Sequence, residues 1–143
     1  MPTLNPYLNF DGNAEEAFCF YKSVFGGEFT SVQHFKDVPE GAGLSVADQK
    51  KIMHIALPIG NGDIIMATDV LESLGRALQV GNNFYITING ESEEETKHLY
   101  KELSAGGNIE MPLQKAFWGA LFGMFEDKFG IQWMVTYDYT EQQ

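Results

Sequence analysis

Cysteine is almost missing from this chain. The single Cys19 excludes an internal disulfide, and a metal cage built from several thiolates goes with it. Cations are scarce as well. Nine Lys and Arg stand against twenty Asp and Glu, a net charge of −11 that repels polyanions, so nucleic acid is not expected as a partner. A charge of this size serves solubility, and no function is attached to it. Long apolar runs are absent too: Ile52 to Ile59 and Ile64 to Ala67 fall far short of a membrane span. The start "MPTLNPYLNF" lacks the basic and apolar segments of a signal peptide, so a cytoplasmic protein with no membrane partner is expected. Nucleotide fingerprints and nucleophile elbows are also missing. Gly26-Gly27 and Gly106-Gly107 follow helical segments, whereas phosphate-binding glycines precede a helix.

What is present is one short pattern, written twice. With 143 residues, 44% of them hydrophobic, the chain suits a single globular domain over residues 1–143. Asn13 with Glu16, and Ser92 with Glu95, form capping-box starts. Ala14, Ala17, Phe18, Tyr21 and Phe25 then recur at helical spacing, as do Thr96, Leu99, Tyr100 and Leu103. Upstream, Tyr7 and Asn9 alternate with Leu8 and Phe10, and Tyr85 and Thr87 alternate with Phe84, Ile86 and Ile88, the period of half-buried strands. This alignment matches Asn5 with Asn83 and Tyr7 with Tyr85. Downstream, "GDIIMAT" at Gly62 to Thr68 aligns with "GIQWMVT" at Gly130 to Thr136.

The pattern predicts an α+β fold of two βαβββ modules in tandem, repeat 1 over 1–70 and repeat 2 over 80–140. The predicted elements of the first are Leu4–Phe10, Ala14–Val24, Glu28–Lys36, Ile52–Ile59 and Asp63–Thr68, with a turn at Gly60-Asn61-Gly62. Those of the second are Asn83–Ile88, Glu93–Ser104, a short strand over Asn108–Pro112, Phe117–Glu126 and Gly130–Tyr137. The polar stretch from Asp37 to Lys51 has no long counterpart in the second half and is a candidate lid.

The segments "YLNFDGNAEEAFCFYKSVFGGE", "MHIALPIGNGDIIMATD", "FWGALFG" and "DKFGIQWMV" resemble the vicinal oxygen chelate superfamily. The nearer likeness is to its PhnB-like branch, also called glyoxalase/bleomycin-resistance-like or 3-demethylubiquinone-9 3-methyltransferase-like. The resemblance implies paired modules whose curled mixed sheets surround a cleft, and commonly a homodimer. It is far less specific for function, because the superfamily includes isomerases, dioxygenases, transferases and drug-sequestering proteins. The methyltransferase label gains no support, since no strand, glycine-rich turn and helix for a methyl-donor nucleotide is present.

The resemblance also implies metal ligands on the first and last strand of each module. Those positions carry Asn5 or Tyr7, Asn83 or Tyr85, Met66 and Met134. Thioethers and neutral amides suit divalent transition ions poorly, so no metal and no other cofactor is expected.

Strand alternation places Asn5, Tyr7, Asn9, His54, Met66, Asn83, Tyr85, Gln132 and Met134 on the cleft side. Trp118, Phe122 and Met124 join them, giving a lining suited to a small apolar or aromatic ligand. The same side chains are consistent with a filled core or a dimer seam. His54 is the candidate acid or base, with Tyr7 polarising an oxygen; alternatively His54 donates to Thr68 or a nearby carbonyl and completes the wall. Three functions stay open: ligand binding, proton-transfer catalysis by a lyase, isomerase or transferase, and a dimeric structural module. Cys19 reads as a helix packing residue, Asp11 and Asp69 as turn or cap residues, and His98 as surface.

Overall fold

A computed structural model describes residues 2–60 and 62–139. Asn61 at the expected turn, and Met1 and Thr140 at the ends of the expected repeats, lie outside the described residues. The chain divides into two compact units, Met1–Gln79 and Val80–Gln143. The first contains β1 (Tyr7–Phe10), α1 (Ala14–Phe25), β2 (Ser31–His34), the short α2 (Val46–Gln49), β3 (Ile52–Ile59) and β4 (Asp63–Asp69). The second contains β5 (Ile86–Asn89), α3 (Glu93–Ser104), β6 (Asn108–Lys115), β7 (Ala120–Glu126) and β8 (Gln132–Asp138). The sheet orders are β1-β4-β3-β2 and β5-β8-β7-β6. Each sheet is mixed, its first strand parallel to its last and the other pairs antiparallel. The duplicated βαβββ unit is therefore realised twice with one topology.

Registers correct the repeat alignment in one respect. Tyr7 lies beside Met66, whereas Thr87 lies beside Met134. Thr87, not Tyr85, is thus the counterpart of Tyr7. The slip is two residues, which leaves every side chain on its expected face.

Several boundaries also move. β1 and β5 begin later than expected, and β2 covers only Ser31–His34. β6 continues through Pro112 to Lys115, because it is an edge strand and its bulges spare the missing amide. Phe117 and Trp118 sit in the hairpin turn rather than in β7, where Ala116 N–H donates to Ala120 O at 2.7 Å. The Asp37 to Lys51 stretch is folded: Ser45 caps α2, and Phe35 N–H donates to Lys51 O at 3.0 Å. Asp48 accepts from Lys51 and Ser73, and these contacts hold its carboxyl below the usual carboxylate range.

Helix α1 buries Ala14, Ala17, Phe18 and Tyr21 against its sheet, with Phe18 edge-on to Phe10 and Tyr21. Burial of each such ring contributes about 1.5–3 kcal/mol. Its cap departs from expectation, for the Asn13 side chain makes no cap hydrogen bond. Asp69 at the end of β4 takes over, its Oδ1 accepting from Gly12 N–H at 3.0 Å and Ala14 N–H at 2.9 Å. Helix α3 is capped as expected by Ser92, which accepts from Glu95 N–H at 3.0 Å. The Glu95 carboxylate takes the Glu91 N–H at 2.9 Å, one residue before the expected partner. The face of α3 toward its sheet carries Thr96, Leu99 and Leu103.

Past α3, Gly106 turns the chain at φ 78° and Gly107 passes so close to β7 that a Cβ there would strike the Glu126 carbonyl oxygen. Gly107→Ala is expected to lower the unfolding free energy by about 2 kcal/mol through this overpacking. A urea midpoint identical to that of the parent protein would contradict the close approach.

Candidate functional site

In each unit the helix packs on one face of the sheet, and the other face carries the candidate residues. One row across the first sheet reads Tyr7, Met66, Ala56, Ser31. The next contains Asn9 beside Thr68, and His54 beside Gln33. The corresponding rows of the second sheet read Thr87, Met134, Met124, Met111 and Asn89, Thr136, Phe122, Gln114. Superposed by register, His54 occupies the place that Phe122 takes in the second unit. The first face is therefore polar where the second is aromatic.

Tyr7 crosses over Met66 toward β3, and its hydroxyl lies 3.3 Å from His54 Nδ1, with the two rings stacked at 5.8 Å. Burial raises the Tyr7 pKa above its ordinary value, against the opposing pull of the Thr68 hydroxyl and the Arg76 guanidinium. The phenol therefore stays neutral, able to donate, throughout the physiological range.

On the second face Tyr85 donates to both carboxylate oxygens of Glu110, at 2.9 and 2.8 Å. These residues belong to opposite edges of the sheet, three strand spacings or about 14 Å apart if the sheet were flat. Glu110 raises the Tyr85 pKa, with lesser help from desolvation and from Glu126. At the hairpin tip Phe117, Trp118 and Phe122 form an edge-to-face series, with ring centroids 5.1 and 5.5 Å apart, leading onto the Phe122 row. Thr87 Oγ1 donates to Met134 Sδ at 3.5 Å.

Other expected residues have structural partners. Asn5 Oδ1 accepts from Ile64 N–H at 3.2 Å, pinning the chain ahead of β1 to β4. Gln132 is buried and donates to Phe84 O at 2.6 Å, performing the same service ahead of β5. Asn83 is exposed just before β5. His34 faces the Glu15 and Asp37 carboxylates, 3.2 and 3.6 Å away, and His98 is exposed as expected. The packing role expected of Cys19 is not seen: it lies on the exposed side of α1, because the buried stripe runs through Phe18 and Tyr21. Asp69 is a cap, as expected, but a buried one. Arg76 and Glu110 escaped the sequence reading. Arg76 is the only arginine, a countable signal; Glu110 meets Tyr85 at a register shift in β6 that leaves no mark in the strand pattern.

The model for the Glyoxalase/Bleomycin resistance protein/Dioxygenase superfamily matches residues 3–135. The chain belongs to this superfamily. It is 34% identical to Protein YjdN of Escherichia coli (strain K12), covering 92% of each chain. Protein PA1353 from Pseudomonas aeruginosa superposes with a TM-score of 0.85 at 36% identity, over 96% of this chain and 98% of that one. The putative 3-demethylubiquinone-9 3-methyltransferase PhnB protein from Bacillus cereus gives 0.77 at 26% identity, over 95% and 99%. The PhnB-like likeness read from the sequence thus has structural company.

A superfamily habit of metal binding does not fit the donors present here. The paired first-strand and last-strand side chains are Tyr7 with Met66 and Thr87 with Met134. A phenol, a hydroxyl and two thioethers offer no imidazole or carboxylate to a divalent ion. Among the described residues no three His, Cys, Asp or Glu side chains converge as a metal site would require. No helix among them is long and apolar enough to cross a membrane.

Proposed function

We propose that this protein binds a small apolar or aromatic molecule on the helix-free faces of its sheets, without a catalytic metal, in the cytoplasm and as a homodimer. The observation that carries this reading is that rings and thioethers are left partly open on the helix-free face of each sheet and at the β6–β7 hairpin tip. Tyr7 is 48% exposed, Met111 42% and Trp118 54%, although these side chains are apolar enough to gain by being covered. Thioethers adapt to ligand shape, and rings supply flat contact area. The exposed outer strands offer the route to a homodimer.

The neutral dye N-phenyl-1-naphthylamine tests the reading. It is expected to bind saturably, and the emission of Trp118 should change with it. In a Trp118→Ala, Phe122→Ala variant the affinity should fall about tenfold or more, the loss of two ring contacts. Absent binding, or binding indifferent to the double substitution, overturns the proposal.

The Tyr7–His54 contact favours a second reading, in which the site also moves a proton. His54 would accept a proton from a bound substrate while the neutral Tyr7 phenol donates a hydrogen bond to the substrate oxygen that gains charge. His54→Ala separates the two readings. Lost turnover with retained ligand affinity supports catalysis; an unchanged protein in both respects removes it.

A further inference from the structure

We infer that the helix-free face of the second sheet takes an apolar or aromatic ligand bearing one primary ammonium group, with Glu110 as its counter-ion and Glu126 and Gln132 as further acceptors. The inference rests on the small-molecule reading above and names the ligand class. Its starting point is a direct contact. Tyr85, just ahead of β5, donates to both oxygens of Glu110 in β6, at 2.9 and 2.8 Å, so phenol and carboxylate meet across the two strands between them. The phenol has a single proton to give. The two carboxylate oxygens therefore keep most of their lone-pair sites for another donor.

Register places the other acceptors beside that contact. Glu126 pairs with Gln132, and both share with Met124 and Met134 the face opposite to the buried Phe125 and Trp133. Asn108 lies opposite Glu126, so Glu110, two residues on at the register shift, is the diagonal neighbour of Glu126, a cross-strand step of about 7–8 Å. Gln132 is 8% exposed and spends its Nε2 on Phe84 O. Its Oε1 accepts from nothing among the described residues and is not sealed from solvent. A carbonyl oxygen so placed is open to an N–H that the chain does not supply.

Charge selects the class. Among the described residues that register and alternation place on this face, none is Lys, Arg or His. Lys115 pairs with the buried Leu121 on the helix side and lies over the Tyr139 ring, 4.8 Å from its centroid. An end made only of acceptors thus adjoins the Met124 and Met134 thioethers and the Phe122 and Trp118 rings. A primary ammonium has three protons and no acceptor, and ring faces attract a cation. The two rows described on the first sheet carry His54 and no carboxylate, so an organic cation has one suitable face.

Titrations of the full chain with 1-naphthylmethylamine, protonated at neutral pH, and with its neutral near-isostere 1-naphthylmethanol, followed by calorimetry and amide NMR shifts, test the inference. The ammonium is expected to bind about tenfold more tightly, the equivalent of one charge-assisted contact. Shifts should centre on Tyr85, Glu110 and Gln132. In Glu110→Gln the two probes should come within about twofold of each other. Glu110 is exposed and glutamine keeps an acceptor for Tyr85, so the variant retains its fold. Glu94→Gln, at an exposed position of α3, removes the same charge elsewhere and should leave the preference unchanged, which separates a local site from the general pull of a −11 chain. Equal affinities in the parent protein overturn the inference while leaving the small-molecule reading intact, as does a preference that survives Glu110→Gln or falls as far in Glu94→Gln. Failure of both probes to bind the parent protein overturns both.

Discussion

Asp69→Ala should lower the unfolding free energy by about 3–4 kcal/mol. Asp69 is 2% exposed and serves three backbone donors. Oδ1 takes Gly12 and Ala14 N–H, and Oδ2 takes Ile52 N–H at 2.8 Å. One carboxylate thereby ties the start of α1, the end of β4 and the start of β3. Removing it strands the buried Ala14 and Ile52 donors, and each buried unsatisfied donor costs about 1–3 kcal/mol. Asp69→Asn sharpens the test. Its amide keeps an acceptor for one pair of donors but faces the third with an N–H, so an intermediate loss is expected. Urea unfolding followed by far-UV circular dichroism measures both. An alanine variant within about 0.5 kcal/mol of the parent protein, the range of ordinary surface substitutions, would show that the carboxylate is not the clamp.

Asp127→Ala is expected to cost about 3 kcal/mol in the second unit, for a related reason with different geometry. Asp127, also 2% exposed, accepts from Phe129 N–H at 2.8 Å and Ile131 N–H at 3.1 Å, shaping the β7–β8 turn. Its other oxygen accepts from the Trp133 indole at 2.8 Å. Trp133 is 1% exposed and heads the core row of β8, so its N–H has no alternative in water. With Trp118 replaced by Phe, Trp133 becomes the only indole and reports directly. Its emission should shift to the red in the Asp127→Ala variant, and the unfolding midpoint should fall. Trp133→Phe combined with Asp127→Ala should cost less than the two separate losses added together, because the second change removes a partner already gone. Simple additivity would mean that the indole and the carboxylate act independently.

These two aspartates mark where sequence reading succeeds and stops. Asp69 could be read as a cap because it ends a strand at a turn; which helix it caps could not, since its partners Gly12 and Ala14 are far away in sequence. Asn13 and Glu16 looked like the local solution. The tertiary one prevailed because a carboxylate brought in by β4 reaches three donors at once. At α3, where no such residue arrives, the local Ser92 cap forms as written. Pro112 misled in a similar way. A proline reads as the end of a strand, yet β6 passes through it because only one side of an edge strand needs paired amides.

The candidate site divides along the same line. Alternation alone placed Tyr7, His54, Met66 and Met134 on a shared kind of face, since a period of two admits only two choices. It could not bring Tyr7 to His54 or Tyr85 to Glu110. Those contacts depend on strand order and on how long side chains lean across the sheet, neither of which is local.

Periodicity, capping signals and the internal repeat were enough to determine the duplicated βαβββ unit and the sidedness of its strands, because both follow from short-range sterics and from which residues gain by leaving water. Register, bulges, the buried clamps of Asp69 and Asp127, and the meeting of Tyr7 with His54 were decided only when distant segments packed. Each is a choice between donors and acceptors far apart in sequence, and the folded chain settles it by leaving the fewest polar groups unpaired.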